Sequence, residues 1–165
     1  NRILKAMNRP YKIEKFLTIV ERLRSEVPGM RLSTDVIVGF PGETAEDFNL
    51  TKKAFKKAGF EMGFIFKYSD RSGTPSVRLE GKIERRELEN RNQELLNLLE
   101  QQSLRSNRDL IGQTHEVLIE SVARKGQGQL MGRTKCFRKV NFTGANSMIE
   151  SLHKRWETSP SSHQL

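Results

Sequence analysis

The chain has 165 residues, 29 of them Lys or Arg and 20 Asp or Glu, for a formal charge of +9. Its length allows one ordinary domain or two small ones, since a chain of this size buries about 70% of its unfolded surface. No run approaches the roughly 18 apolar residues of a membrane span, and Asn1-Arg2-Ile3-Leu4 lacks a secretory stretch. A cytoplasmic protein with no membrane partner is expected. One cysteine, Cys136, excludes an internal disulfide and any metal cluster built from this chain's thiolates alone.

Residues 12–25 set Ile13, Phe16, Leu17, Val20 and Leu23 at helical spacing between Pro10 and Pro28-Gly29, which predicts an amphipathic helix. From Met30 to Phe40, the β-branched run Val36-Ile37-Val38 stops at Gly39-Phe40-Pro41-Gly42, as a buried strand would. Thr44 and Asp47 then form a capping box for a helix with Phe48, Ala54, Phe55 and Ala58 on its apolar side, ending at Gly59. Phe60 to Tyr68 is a second, aromatic-rich strand, closed by the loop Ser69–Pro75. Helix, strand, helix, strand argues parallel βα units, with ligands at the carboxyl ends of the strands.

A polar helix follows over residues 82–107, seamed by Leu88, Leu95, Leu98 and Leu99, and reads as a connector packed on the first domain. The periodicity then changes to short strands at Thr114–Val122, Gln129–Cys136 and Arg138–Phe142, separated by glycine-containing turns. These predict a small β-barrel. The polar end, residues 158–165, reads as a disordered tail.

Charge is unevenly spread. Residues 121–155 hold Arg124, Lys125, Arg133, Lys135, Arg138, Lys139, Lys154 and Arg155 against one acid, Glu150, so this stretch carries most of the net charge. The plain alternative is a solvated basic face. Apolar residues alternate with the cations here, which mounts the charge on strands and suits a polyanion.

Three loops offer candidate chemistry. Thr34 to Thr44 ends a strand in Gly-Phe-Pro-Gly-Glu, which lets backbone approach a ligand at Gly39, or is an ordinary strand-turn-helix corner. Tyr68-Ser69-Asp70-Arg71-Ser72-Gly73-Thr74 gathers a phenol, hydroxyls and a guanidinium suited to a polar cofactor or an RNA phosphate. Arg9 and Tyr11 flank Pro10 as a third contributor. His115, His153 and His163 lack metal-ligand spacing and read as surface residues, and Cys136 as a small strand residue. No Ser/His/Asp arrangement and no phosphate-binding P-loop is present.

Met7-Asn8-Arg9-Pro10-Tyr11, the Thr34–Thr44 segment, Phe66 to Thr74, and Gly128 to Phe142 resemble, in order and spacing, the carboxyl half of the radical-SAM methylthiotransferases. The last motif is most similar to the MiaB branch, which acts on tRNA. The resemblance implies an α/β fold, the carboxyl half of a partial β/α barrel, followed by a small all-β TRAM barrel of OB-like form. It implies residues 1–80 as partial barrel, 81–110 as connecting helix, 111–157 as the RNA-binding barrel and 158–165 as tail. It further implies methylthiolation of carbon 2 of N6-isopentenyladenosine beside the anticodon, with S-adenosylmethionine and two 4Fe-4S clusters. The tRNA anticodon stem-loop and the missing amino-terminal half are the implied partners, and the full-length enzyme is implied to be a monomer.

The chain departs from that pattern in lacking the three clustered cysteines of the radical-SAM site, so it is read as a carboxyl-terminal piece, inactive alone. Two parallel strands without the rest of a barrel should leave an open edge and apolar surface. Phe137 stands where the MiaB branch carries asparagine. The closing strand, an alternating Val/Ile run in the family, is Ser151-Leu152-His153-Lys154-Arg155-Trp156 here, leaving Ile149, Leu152 and Trp156 to cover the barrel.

By position on the motifs, Thr34, Asp35, Gly39 and Glu43 are implied to line the S-adenosylmethionine side, with Tyr68, Ser69, Arg71 and Thr74 at the next strand end and Arg9 and Tyr11 at the same mouth. Arg124, Lys125, Arg133, Lys135, Arg138 and Lys139 are implied to contact RNA backbone, with Phe142 stacking or filling the core. Two other functions stay open. One is a non-catalytic RNA-binding module. The other is methylthiotransfer to another substrate, a ribosomal-protein aspartate or a threonylcarbamoyl-type tRNA adenosine.

Overall fold

The structure is a computed structural model that describes residues 1–124 and 128–149 in full and the backbone of residues 152–157. The chain divides into two compact units, Asn1–Arg105 and Ser106–Leu165. The tail at 158–165 lies outside the described residues.

The first unit runs α1 (Arg2–Ala6), α2 (Ile13–Glu26), β1 (Ser33–Val38), α3 (Ala45–Ala58), β2 (Met62–Lys67) and α4 (Arg85–Arg108), with a short 3-10 turn at Pro75–Arg78 before α4. Strands β1 and β2 pair in parallel from Ser33 opposite Met62 to Val38 opposite Lys67. Because side chains alternate along a strand, one face carries Val36, Val38 and Ile65. Phe16, Leu17 and Val20 of α2, Phe48, Phe55 and Ala58 of α3, and Leu88, Leu95, Leu98 and Leu99 of α4 pack with them into one core. The helix read as a connector thus contributes to this core, with Leu95 fully buried. The opposite face carries Ser33, Asp35, Met62, Phe64 and Phe66, all exposed, and the half-buried Ile37. Phe64 is 69% and Phe66 49% exposed, their rings stacked 6.1 Å apart.

Helix α3 shows how local sequence sets these bounds. The Thr44 hydroxyl accepts from the Asp47 amide at 3.2 Å, and the Asp47 carboxylate accepts from the Thr44 amide at 3.0 Å. The expected capping box is present, and Gly59 ends the helix in the left-handed region at φ +64. Helix α1 was not anticipated. Its five residues hold no apolar periodicity, and Asn8, at φ +55, turns the chain out of it.

The second unit contains β3 (Thr114–Val122), β4 (Gln129–Thr134), β5 (Lys139–Thr143) and β6 (Leu152–Glu157), in the order β5-β4-β3-β6, with a 3-10 turn at Asn146–Met148. All pairs are antiparallel, and β3 carries a bulge against each neighbour. The alternation buries Val117, Ile119 and Leu130 on one face. The last strand forms despite lacking a Val/Ile run, pairing Thr114 with Glu157 and Leu118 with Leu152. Cys136 sits in the turn after β4 instead of within the strand, because Thr134 closes a tight loop to Arg138 at 3.0 Å. His115 is half-buried on β3, its Nε2 without a hydrogen bond among the described residues, and is not the surface residue expected.

Thr44→Ala is expected to destabilise the first unit by about 1 kcal/mol in denaturant melts, the usual cost of a lost N-cap. Asp47 also gives a pH dependence. Burial pushes its pKa up, but the Thr44 amide and hydroxyl and the Arg2 guanidinium outweigh that and hold it below the ordinary aspartate value. Its contribution is therefore complete above about pH 4 and lost as pH falls through the depressed value. Asp47→Asn should flatten that acid limb of the stability profile.

Candidate functional site

At the carboxyl end of β1 the chain enters Gly39-Phe40-Pro41-Gly42, with Gly39 at φ +75. A Cβ on Gly39 would lie 2.1 Å from the Leu88 side chain. The space that the sequence suggested for a ligand is thus occupied by α4. Glu43 likewise turns inward. Its carboxylate accepts from the Gly39 amide at 3.1 Å and from Arg91 at 2.8 Å. The Arg91 side chain is 7% and that of Glu43 3% exposed. Arg91 also donates to the Glu43 carbonyl at 3.0 Å and to Glu87 at 2.8 Å, and its guanidinium lies 5.5 Å from the Phe48 ring centre. Burial acts to lower the Arg91 pKa, but Glu87 and Glu43 outweigh it and raise the value. Arg91 was missed in the sequence. Its only local signal is Glu87 one turn earlier, whereas its main partner is remote in the chain.

The second strand end is tied to the first. The Tyr68 amide donates to the Val38 carbonyl at 2.9 Å, and the Tyr68 ring meets Phe40 edge-on at 5.3 Å. The Tyr68 hydroxyl donates to Asp70 at 3.1 Å, and Lys82 donates to the same carboxylate at 2.6 Å, holding the Asp70 pKa below its ordinary value. The Thr74 hydroxyl donates to the Arg71 carbonyl at 2.8 Å, so Thr74 shapes the loop, while Ser69 and the Arg71 side chain are exposed. Thr34 and Asp35 part company: Asp35 lies on the open face beside Phe64, and Thr34 on the helix-packed face.

Arg9 and Tyr11 are brought together with Lys5, Pro10 and Lys12 around a shallow cleft of about 410 Å³. Tyr11 stacks on Phe16 at 6.0 Å. Arg2, in the same cleft, ion-pairs with Asp47 and donates to the Gly42 carbonyl at 2.7 Å, which joins α1 to the strand-end loop.

In the second unit, Arg124 and Lys139 are exposed, and Lys125 lies outside the described residues. Arg133 holds Glu120 at 3.0 Å and Lys135 holds Glu116 at 2.5 Å. Both acids come from the facing strand β3, whose alternation in Thr114–Val122 was the available signal that they share a face with the cations. Arg138 differs from expectation. It is 9% exposed, with its guanidinium donating to Ser106 at 2.7 Å, so it supports the hairpin from within. Phe142 is half-buried opposite Leu130, in keeping with a packing role.

The residues do not fit an iron–sulfur cluster. Such clusters need several thiolates, the chain has one cysteine, and no group of three His, Cys, Asp or Glu among the described residues could hold a metal. No helix among them is long and apolar enough to cross a membrane.

No protein-family model matches the chain. Curated relatives do. The tRNA-2-methylthio-N(6)-dimethylallyladenosine synthase of Akkermansia muciniphila is 44% identical over 152 residues, 92% of this chain and 33% of its own length. The synthases of the same name from Alkaliphilus oremlandii and Mycobacterium bovis are each 40% identical, over 92% and 90% of the chain. Over that stretch the chain is similar to these synthases. It spans about a third of the length of the curated relatives it matches.

Arg91→Ala is expected to destabilise the first unit by about 3–5 kcal/mol, because it leaves Glu43 buried without its counter-charge. The double variant Glu43→Gln/Arg91→Met should lose less than the sum of the single losses. Chemical denaturation of the three proteins measures both.

Proposed function

We propose that this chain is a carboxyl-terminal portion of a radical-SAM tRNA methylthiotransferase, inactive by itself. The sequence identity over nine-tenths of the chain carries this reading. In it, residues 1–80 belong to a partial β/α barrel, residues 81–110 to a connecting helix, and residues 111–157 to a TRAM-like barrel that grips tRNA. The open face of β1 and β2 supports the first assignment. A parallel pair packed on helices by one face, with stacked phenylalanines on the other, suits a sheet continued by further strands. Those strands and the cluster cysteines would come from the part of the relatives that this chain does not span.

The assembled enzyme would place sulfur and then a methyl group on carbon 2 of N6-isopentenyladenosine in the anticodon stem-loop, in the cytoplasm. S-adenosylmethionine supplies an ammonium and a carboxylate, which Asp35 on the open face and Arg71 in the adjoining loop match in charge. Arg124, Arg133, Lys135 and Lys139 would contact RNA phosphates. Such contacts position the strand without reading its sequence.

Titrating the chain with an anticodon stem-loop at several salt concentrations tests the RNA part. Arg133→Ala/Lys139→Ala should weaken binding and flatten the salt slope by roughly 1.5 units, since each lost phosphate contact removes about 0.7–0.9. Glu116→Gln/Glu120→Gln should tighten it, by freeing Lys135 and Arg133. No stem-loop binding by the folded chain would reject the RNA reading. Adding the amino-terminal part of a relative and assaying tRNA nucleosides by mass spectrometry tests the catalytic part: methylthio product only with both pieces present is the expected result, and none from the reconstituted pair favours a non-catalytic module.

A further inference from the structure

The turn joining β4 to β5 holds Phe137 at φ +61 and leaves it 68% exposed. Both conditions are unfavourable for this residue. A bulky side chain rarely adopts the left-handed region, which asparagine and glycine enter readily, and a ring facing water gains nothing from burial. Asn8, the other non-glycine residue at positive φ among those described, is of the type expected there.

Nothing allows the ring to retreat. The Phe137 amide donates to the Thr134 carbonyl at 2.9 Å, the Thr134 amide to the Arg138 carbonyl at 3.0 Å, and the Arg138 amide to the Thr134 hydroxyl at 3.2 Å. The buried Arg138 guanidinium, bonded to Ser106, anchors the far side of the turn. Strain maintained by surrounding bonds is a pointer to function.

Charge around the ring selects the partner. Lys135 and Lys139 flank Phe137 in the same hairpin end and are exposed, with Arg133 opposite Lys139 in register. Lys135 and Arg133 hold Glu116 and Glu120, whereas Lys139 has no carboxylate at ion-pair distance among the described residues. A ring set among cations suits a ligand with π-faces and phosphates together.

We infer that Phe137 is a stacking residue for an unpaired base of an RNA strand whose phosphates run past Lys135 and Lys139. The inference rests on the RNA-binding reading of the second unit. The base must be unpaired, because a duplex hides base faces in its own stack. A lone exposed ring offers no hydrogen bonds to base edges, so the contact adds affinity for single-stranded loops without choosing among bases.

Phe137→Asn separates this role from a structural one, because the two predict opposite signs. Relief of the left-handed phenylalanine should raise the thermal midpoint by a few degrees. Loss of the stack should weaken binding of an RNA stem-loop by about five- to fiftyfold. The salt slope should not change, because a stack releases no counterions. Phe137→Trp should keep wild-type affinity, and a fluorescent adenine analogue among the unpaired loop bases should report stacking with Phe137 and Trp but not with Asn. Wild-type affinity in Phe137→Asn, or an Asn variant that loses only self-association, overturns the inference and leaves the RNA reading standing. A folded wild-type chain that binds no stem-loop overturns both.

Discussion

The first unit depends on one buried ion pair. Glu43 stands at the end of the strand-end loop and Arg91 in the middle of α4, and their contact joins segments remote in sequence. Burying two charges is costly unless their remaining hydrogen-bonding capacity is used, and here it is. Glu43 also receives the Gly39 amide, and Arg91 also binds Glu87 and the Glu43 carbonyl. The pair therefore fixes three things together: the shape of the Gly39–Gly42 loop, the seat of Leu88 against Gly39, and the position of α4 over the sheet. An apolar pair of similar volume could supply burial but could not hold a backbone amide and a carbonyl at the same time.

That arrangement makes the small sheet strongly two-sided. All the helical packing is on the face of Val36, Val38 and Ile65, while Asp35, Phe64 and Phe66 share the other. The second unit divides its labour differently. Its buried face is closed by Val117, Ile119 and Leu130, and its outward cations are partly balanced by Glu116 and Glu120. The first unit offers apolar surface with one central carboxylate, and the second offers charge with one central ring.

Much of this was legible in the sequence where the determinants are local. Helix α3 lies where its capping box and Gly59 put it, and β3 keeps the predicted bounds from Thr114 to Val122 even though bulges interrupt its alternation. Strand β4 ends two residues early because Thr134 folds the chain into a turn, which a run of polar residues does not announce. The candidate site was harder to read. Gly39 and Glu43 were visible as unusual, but their partners Leu88 and Arg91 lie on α4, and no spacing rule connects residues so far apart. Arg138 was grouped with the surface cations because composition counts charge without direction; only the fold shows that its guanidinium faces Ser106. The left-handed backbone of Phe137 was invisible for a related reason, since residue type alone would argue against it.

The stacked Phe64 and Phe66 have a consequence for the life of such a chain in a cell. An apolar strand with a free edge is the kind of surface that holdase chaperones retain, and binding of that kind draws molecules away from the native pool. The core beneath it, sealed by Phe55 and Leu95, does not protect against this, because the recognised surface is already displayed in the folded state. For a protein that displays that face, the exposed apolar area, more than the stability of the core beneath it, would set how much of it is retained and degraded.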